Sequence, residues 1–291
     1  MEYFDLHCDT LYKATTSNSD FNDNKNHISI NKAESFDKWT QLFAIWIPDE
    51  LKGEKAKQLF INAVDVFQKE RINNDRINMM LAVENASMLC GKLKTIELLK
   101  NAGVKDVTLT WNAENEIGGG AECQGIGLSD FGREVVKELQ RNDITVDVSH
   151  ASDKLFYDVI NVSTKPVIAS HSNSRFITDV KRNLTDDQFK IIRDQSGLVG
   201  INLYKGFLSD EPSRACIDDI IKHTEHFLNL GGENILAVGA DFDGADMPCD
   251  IRGIESIPDV YNRFLSEFGT NITKKIFFDN SNLYFTNFDK I

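Results

Sequence analysis

Ile144-Thr145-Val146-Asp147-Val148-Ser149-His150 and Pro166-Val167-Ile168-Ala169-Ser170-His171 are short apolar runs that each end in histidine. The segment between them, 152–161, carries a helical pattern, so the pair reads as strand, helix, strand. Further strand patterns lie at about 3–9, 42–47, 79–85, 106–111, 197–202 and 235–242, and helical patterns at 53–71, 93–102, 129–141, 185–195 and 213–230. Several strands are nearly continuous apolar runs, as expected where both faces of a parallel strand are buried. Start and stop signals agree: Ser129-Asp130 and Thr185-Asp186-Asp187-Gln188 resemble helix N-caps, and Gly103 and Gly231 stand where helices should stop. Alternating strands and helices define a parallel α/β fold. Eight such units in 291 residues favour a closed (β/α)8 TIM barrel over an open sheet. The first strand also lacks the Gly-rich dinucleotide fingerprint of open sheets. A single catalytic domain, 1–291, is expected, with a polar excursion at about 15–37 before the first helix. Helices at 258–268 and 272–278 are expected to close the barrel.

Composition narrows the function. Asp and Glu total 45 against 32 Lys and Arg, a net charge of −13, which disfavours nucleic acid or an anionic membrane as partner. No segment approaches the roughly 20 apolar residues of a membrane span. The N-terminus shows no basic region and apolar signal core, and the C-terminus is too polar for a lipid-anchor tail. Cys8, Cys90, Cys123, Cys216 and Cys249 are scattered without a C-x-x-C pair and read as free thiols of a cytoplasmic protein. Cys8 lies between two candidate ligands but should face the other side of its strand.

The ends of the runs hold the chemistry. His7 and Asp9 share a strand face. Glu84, His150, His171 and Asp241 end the third, fifth, sixth and eighth runs, and a barrel brings such ends to one mouth. A histidine and carboxylate set suits zinc or another divalent first-row ion. Two ions can share it, His7, Asp9 and Glu84 on one and Glu84, His150 and His171 on the other. Open positions on both can hold a bridging hydroxide, which is hydrolytic chemistry. His27 lies in the polar excursion and reads as solvated, whereas His223 and His226 read as flanks of an ordinary amphipathic helix. The Gly-rich loop 117–127 lacks the Lys-Ser/Thr of a phosphate loop and reads as a flexible segment near the mouth. Ser149, Ser170 and Ser172 adjoin histidines, but strand neighbours point to opposite faces, which argues against a serine nucleophile.

The motifs also carry a resemblance. Asp5-Leu6-His7-Cys8-Asp9 (D-x-H-x-D), Asp147-Val148-Ser149-His150 (D-x-S-H) and Gly239-Ala240-Asp241-Phe242-Asp243-Gly244 (G-x-D-F-D-G) occur together. With them stands Ser170-His171-Ser172-Asn173-Ser174-Arg175, followed by Arg182-Asn183-Leu184-Thr185. In this order the chain resembles the membrane (renal) dipeptidase family, peptidase family M19, over nearly its whole length. The resemblance implies an amidohydrolase-like metallopeptidase with two Zn2+ ions on His7, Asp9, Glu84, His150 and His171, Glu84 bridging. It makes Asp241 the proton shuttle and Arg182 the ligand of a dipeptide's terminal carboxylate. It further implies tolerance of D-residues at the second position, some activity on β-lactam-like amides, and a homodimer. One departure stands out: many members carry histidine where this chain has Trp111, and indole has one N–H donor and no basic nitrogen. Trp111 is then a substrate contact or a pocket wall, and Asn112 a candidate for the missing donor. The substitution keeps open another reaction on the same ions, hydrolysis of an N-acyl amino acid or a lactone. A catalytically silent binding barrel is a more distant alternative.

Overall fold

In the computed structural model, which describes residues 1–17 and 19–288, the apolar runs pair side by side in chain order. The strands are β1 (Glu2–Cys8), β2 (Lys38–Trp46), β3 (Ile77–Glu84), β4 (Val104–Thr108), β5 (Thr145–Asp147), β6 (Ile168–Ala169), β7 (Leu198–Ile201) and β8 (Leu236–Val238). All pairs are parallel, and Asp5 of β1 meets Val238 of β8 to close the barrel. The helices are α1 (Thr10–Ser17), α2 (Glu54–Glu70), α3 (Ile96–Ala102), α4 (Asp130–Arg141), α5 (Asp153–Val162), α6 (Asp186–Asp194), α7 (Lys205–Leu208), α8 (Ile217–Asn229), α9 (Ile257–Lys274) and α10 (Asn280–Asn287). The N-cap signals act as expected: Ser129 and Thr185 accept from the first-turn amides, Thr185 in a reciprocal box with Gln188.

Two apolar clusters divide the interior. The larger lies between strands and helices and includes Tyr3, Cys8, Trp39, Phe43, Val107, Val146 and Phe242. The smaller takes Phe4, Leu6, Leu42, Ala82, Ile168, Leu198 and Ala237 from the strands and Phe278, Tyr284 and Phe288 from the C-terminal segment. These C-terminal residues plug the end of the barrel at which the strands begin; Tyr284 Oη donates to Pro166 O just ahead of β6. The closing helices therefore extend further than expected. Gly269 (φ 73°) interrupts α9, a π turn follows at Lys275–Asp279, and α10 continues to Asn287.

Other departures from the expected boundaries have physical causes. β2 begins at Lys38, four residues early, because Lys38-Trp39-Thr40-Gln41 mixes polar groups into a strand whose pattern was apolar only later. α1 starts at Thr10, directly after β1, so the polar excursion follows this helix instead of preceding it. β5, β6 and β8 end two or three residues before the histidines and Asp241, where the backbone leaves the sheet. His150, Asp241 and Asp243 have φ of 64°, 62° and 70°. This left-handed backbone is uncommon for non-glycine residues and clusters at functional sites. In β1, Leu6 joins the inner cluster and Cys8 the outer one, and the register shifts between Asp5 and Cys8. That bulge turns His7 toward the mouth, where strict alternation from Leu6 would have sent it outward.

Gly200 and Gly239 let β7 and the end of β8 pass close to β6: a Cβ on either would overlap the Ser170 carbonyl oxygen, whereas one on Gly125 would meet nothing within 4 Å. Overpacking against fixed backbone costs about 1–3 kcal/mol. Gly239→Ala is expected to lower Tm by about 3–10 °C, and Gly125→Ala to leave it within about 1 °C, measured by differential scanning calorimetry.

Candidate active site

Glu84, the last residue of β3, sits at the centre of the mouth with both carboxylate oxygens engaged. Its Oε1 is 2.9 Å from His150 Nε2 and 3.6 Å from His171 Nε2, and those two nitrogens are 3.1 Å apart. Its Oε2 is 3.7 Å from His7 Nε2, which is 3.5 Å from Asp9 Oδ2. All five residues are buried. The His7 and His171 rings lie 3.9 Å apart, and the strand ends form one cluster in which His7, Glu84 and His171, and likewise His7, Asp9 and Asp241, stand close enough to hold a metal ion.

Hydrogen bonds behind the histidines fix their tautomers. His150 Nδ1 lies 2.9 Å from Asn112 Oδ1, an acceptor, so Nδ1 carries the proton. His171 Nδ1 lies 2.7 Å from Ser170 Oγ, whose hydroxyl is given to Asp147 Oδ2 at 2.5 Å. The His171 proton is therefore also on Nδ1. Asp147 is held by Thr108 Oγ1 and by the amides of Ser149 and Ser170. Both Nε2 lone pairs consequently point at each other and at a carboxylate oxygen, an arrangement of acceptors with no donor between them. His7 Nε2 and Asp9 Oδ1 are buried without any hydrogen-bond partner among the described residues. Such groups are costly unless a cation lies among them. Two ligands at 2.0–2.1 Å on a tetrahedral ion stand about 3.3 Å apart, within the observed spread. The donor set fits divalent metal.

Electrostatics agree. Burial and the charges of Asp9 and Asp241 push the Glu84 carboxyl well up, against the pull of His7. Burial pushes Asp241 up to about 6, with His7 and the amide of Asn202 opposing. Burial alone would depress His7, but Glu84, Asp9 and Asp241 outweigh it and raise it to about 10. His150 and His171 are driven far down by burial and by nearby positive charge. Glu84 and Asp241 are thus both held toward the neutral form in the absence of a cation, and a divalent cation would reverse that tendency.

A cavity of about 620 Å³ opens over this centre. One wall is aromatic: Trp111 meets Trp46 edge-on at 5.0 Å and stands 6.0 Å from the His150 ring. The other wall holds Tyr204 and Phe207. Arg182 lies against Phe207, its guanidinium carbon 5.2 Å from the ring centre. Its Nη2 reaches His171 O at 3.4 Å, and its Nε has no partner among the described residues. Burial lowers its pKa to about 10 despite the charges of Asp241, Glu84 and Asp147.

Several sequence expectations change here. Asn112 lines the cavity, and its side-chain oxygen also accepts from His150, a contact the sequence reading did not assign; that bond leaves its NH2 group unused. His27 is not simply solvated: it lines the cavity, and its Nδ1 accepts from the amide of Asp243. Ser170 does reach the ring of its neighbour His171, because the chain has left the sheet at that point. Its hydroxyl is buried and given to Asp147, so it orients the ring and is no nucleophile. The Gly-rich loop is a packed turn: a Cβ on Gly120 would overlap the Trp111 carbonyl, and Gly120 bridges to Ala151. His223 is buried between Ser174 N and Leu208 O, and His226 pairs with Asp186, so neither reaches the site. Asn202 escaped the sequence reading, and Asp147 and Asp243 were given no role beyond their motifs, although an acid inside the apolar run 144–148 is a signal of a buried polar network. Asp243 accepts from Thr10 Oγ1, Lys13 Nζ and the His27 amide, and so fastens the excursion to the mouth.

A closed parallel barrel with paired imidazoles and carboxylates at its mouth defines a metal-dependent hydrolase. A sequence model of the membrane dipeptidase family, peptidase family M19, matches residues 1–282, and the chain belongs to that family, whose members are metallo-dipeptidases. An uncharacterized Klebsiella pneumoniae protein encoded in the pqqA 5′ region is 31% identical over 70% of this chain and 79% of its own. The uncharacterized dipeptidase C3A11.10c of Schizosaccharomyces pombe is 31% identical over 69% of this chain; the match spans 50% of that protein. Among solved structures, a metallopeptidase from Rhodobacter sphaeroides liganded with a phosphinate mimic of L-Ala-D-Ala superposes with a TM-score of 0.90. It is 21% identical, over 99% of each chain. The probable dipeptidase PvdM of Pseudomonas aeruginosa superposes at 0.89, 16% identical over 100% of this chain and 96% of its own.

Two outcomes are expected. Replacing Asn112 with Leu frees the His150 ring and should weaken divalent-metal binding about 10–100-fold in a chelator competition. His223, pushed by burial from 6.5 down to about 4, binds its proton more readily in the unfolded chain. Its contribution is therefore complete above pH 6.5 and lost as pH falls toward 4, about 3 kcal/mol in all. Urea unfolding at several pH values should show this loss in the wild type and a flatter profile in His223→Gln.

Proposed function

We propose that this chain is a cytoplasmic dipeptidase working with two zinc ions, one held by His7, Asp9 and Glu84 and the other by Glu84, His150 and His171. The observation that carries this reading is the buried Glu84 carboxylate, whose two oxygens lie 2.9–3.7 Å from the Nε2 atoms of His150, His171 and His7. When bound, the ions supply Lewis acidity, acidifying a water and polarising the scissile carbonyl. Asp241 takes the proton of the attacking water and passes it to the leaving amine as the C–N bond breaks. Asp241 lines the cavity just after the eighth strand, with one carboxylate oxygen held by Asn202 Nδ2 at 3.0 Å, which suits a positioned base and acid. Glu84 and the Asp147–Ser170–His171 chain hold the ligand set rigid.

Arg182 receives the substrate's C-terminal carboxylate, its planar fork suited to two parallel bonds. A carboxylate at that distance from the scissile bond favours dipeptides over longer chains. The phosphinate mimic of L-Ala-D-Ala bound by the R. sphaeroides relative supports acceptance of a D-residue in the second position. Trp111, with a single N–H where many family members carry imidazole, favours a second reading: hydrolysis of an N-acyl amino acid or lactone on the same centre.

Zinc-loaded protein should hydrolyse Ala-Ala and Gly-dipeptides, and cleave the C-terminal amide of the same dipeptide about 100-fold less efficiently. Asp241→Asn should lower kcat by about 10²–10⁴ with its metal content intact. Equal rates on acid and amide would remove the role given to Arg182; faster turnover of acylated amino acids or lactones would favour the second reading.

A further inference from the structure

The mouth is asymmetric. Tyr12 meets Trp46 edge-on at 4.8 Å, and Trp46 meets Trp111 at 5.0 Å, so three half-buried rings form a continuous wall of the cavity. They come from α1, the end of β2 and the segment after β4. Arg182, Tyr204 and Phe207 follow β6 and β7. Since the strands close in chain order, β2–β4 and β6–β7 lie across the barrel from one another.

This asymmetry orients a dipeptide, resting on the proposed dipeptidase reading. With its carboxylate at Arg182 and its scissile carbonyl over Glu84, the C-terminal residue lies on the β6–β7 side. The N-terminal residue then points across the centre to the aromatic side, and the carboxylates of Asp9 and Asp241 also line the cavity, a suitable environment for its ammonium group. Three half-buried aromatic rings facing an open cavity above a polar centre leave apolar surface uncovered, and an apolar ligand group would cover it. Trp111 matters here because it extends the wall by an indole.

We propose that Tyr12, Trp46 and Trp111 form the subsite for the side chain of the substrate's N-terminal residue, and that they select a large apolar or aromatic side chain there. Aromatic contacts in edge-to-face or stacked geometry add to the gain from burial.

The test compares kcat/KM of the zinc-loaded protein on Phe-Ala, Leu-Ala, Ala-Ala, Asp-Ala and the reversed Ala-Phe. Phe-Ala is expected to exceed Ala-Ala by about tenfold or more, Asp-Ala to be the poorest, and Ala-Phe to gain little over Ala-Ala. Tyr12→Ala and Trp46→Leu should each lower the Phe-Ala to Ala-Ala ratio about fivefold. A ratio within one preparation does not depend on how much of the variant folds. A wild-type ratio near one, or a ratio unchanged in both variants, overturns the subsite while leaving the dipeptidase reading intact. Failure to cleave any dipeptide overturns that reading, and the subsite with it.

Discussion

The buried meeting of Glu84 with His150, His171 and His7 is the constraint from which the rest of the structure follows. Hydrogen bonds behind the rings place both the His150 and His171 protons on Nδ1, so their Nε2 lone pairs confront each other 3.1 Å apart. Glu84 adds a carboxylate oxygen to the same point. A dry cluster of acceptors is unstable by itself, because desolvation is not repaid by any donor. A divalent metal held there would offset that cost, and would do the same for Asp9 and the half-buried Asp241 beside Glu84.

The barrel serves this cluster by ending its strands early. β5, β6 and β8 stop short of the active residues, and left-handed backbone at His150 and Asp241 turns the side chains into the mouth. A bulge does the same for His7 in β1. Behind them Asp147, itself buried, accepts from Thr108, Ser149 and Ser170, and thereby ties β4, β5 and β6 to the orientation of one imidazole. The glycines at 200 and 239 keep the neighbouring backbone close enough for this arrangement. Geometry at the site is thus set by packing two layers deep.

Much of this was legible in the residues. Apolar runs ending in histidine or acid, alternating with helical patterns, fixed the barrel and the membership of the cluster, because both depend on side-chain chemistry at regular intervals. What stayed hidden depends on backbone departures from regularity. Alternation along a strand predicts that Ser170 and His171 point apart, and it fails because β6 has already ended at Ala169. His27 lies in a polar stretch whose position is set by a distant acid, Asp243, and no local pattern reveals such a contact. Asn112 reads in the sequence only as a donor, and its second role, accepting from His150, joins residues 38 positions apart. The Gly-rich loop looked loose for the same reason: glycine marks both freedom and close approach, and only the neighbours distinguish them.

The most direct test of this account is anomalous diffraction at the zinc edge from crystals grown with zinc. Two peaks are predicted, one beside His7 and Asp9 and one beside His150 and His171, with Glu84 contributing an oxygen to each at about 2.0–2.2 Å. A single peak, or peaks remote from Glu84, would contradict it.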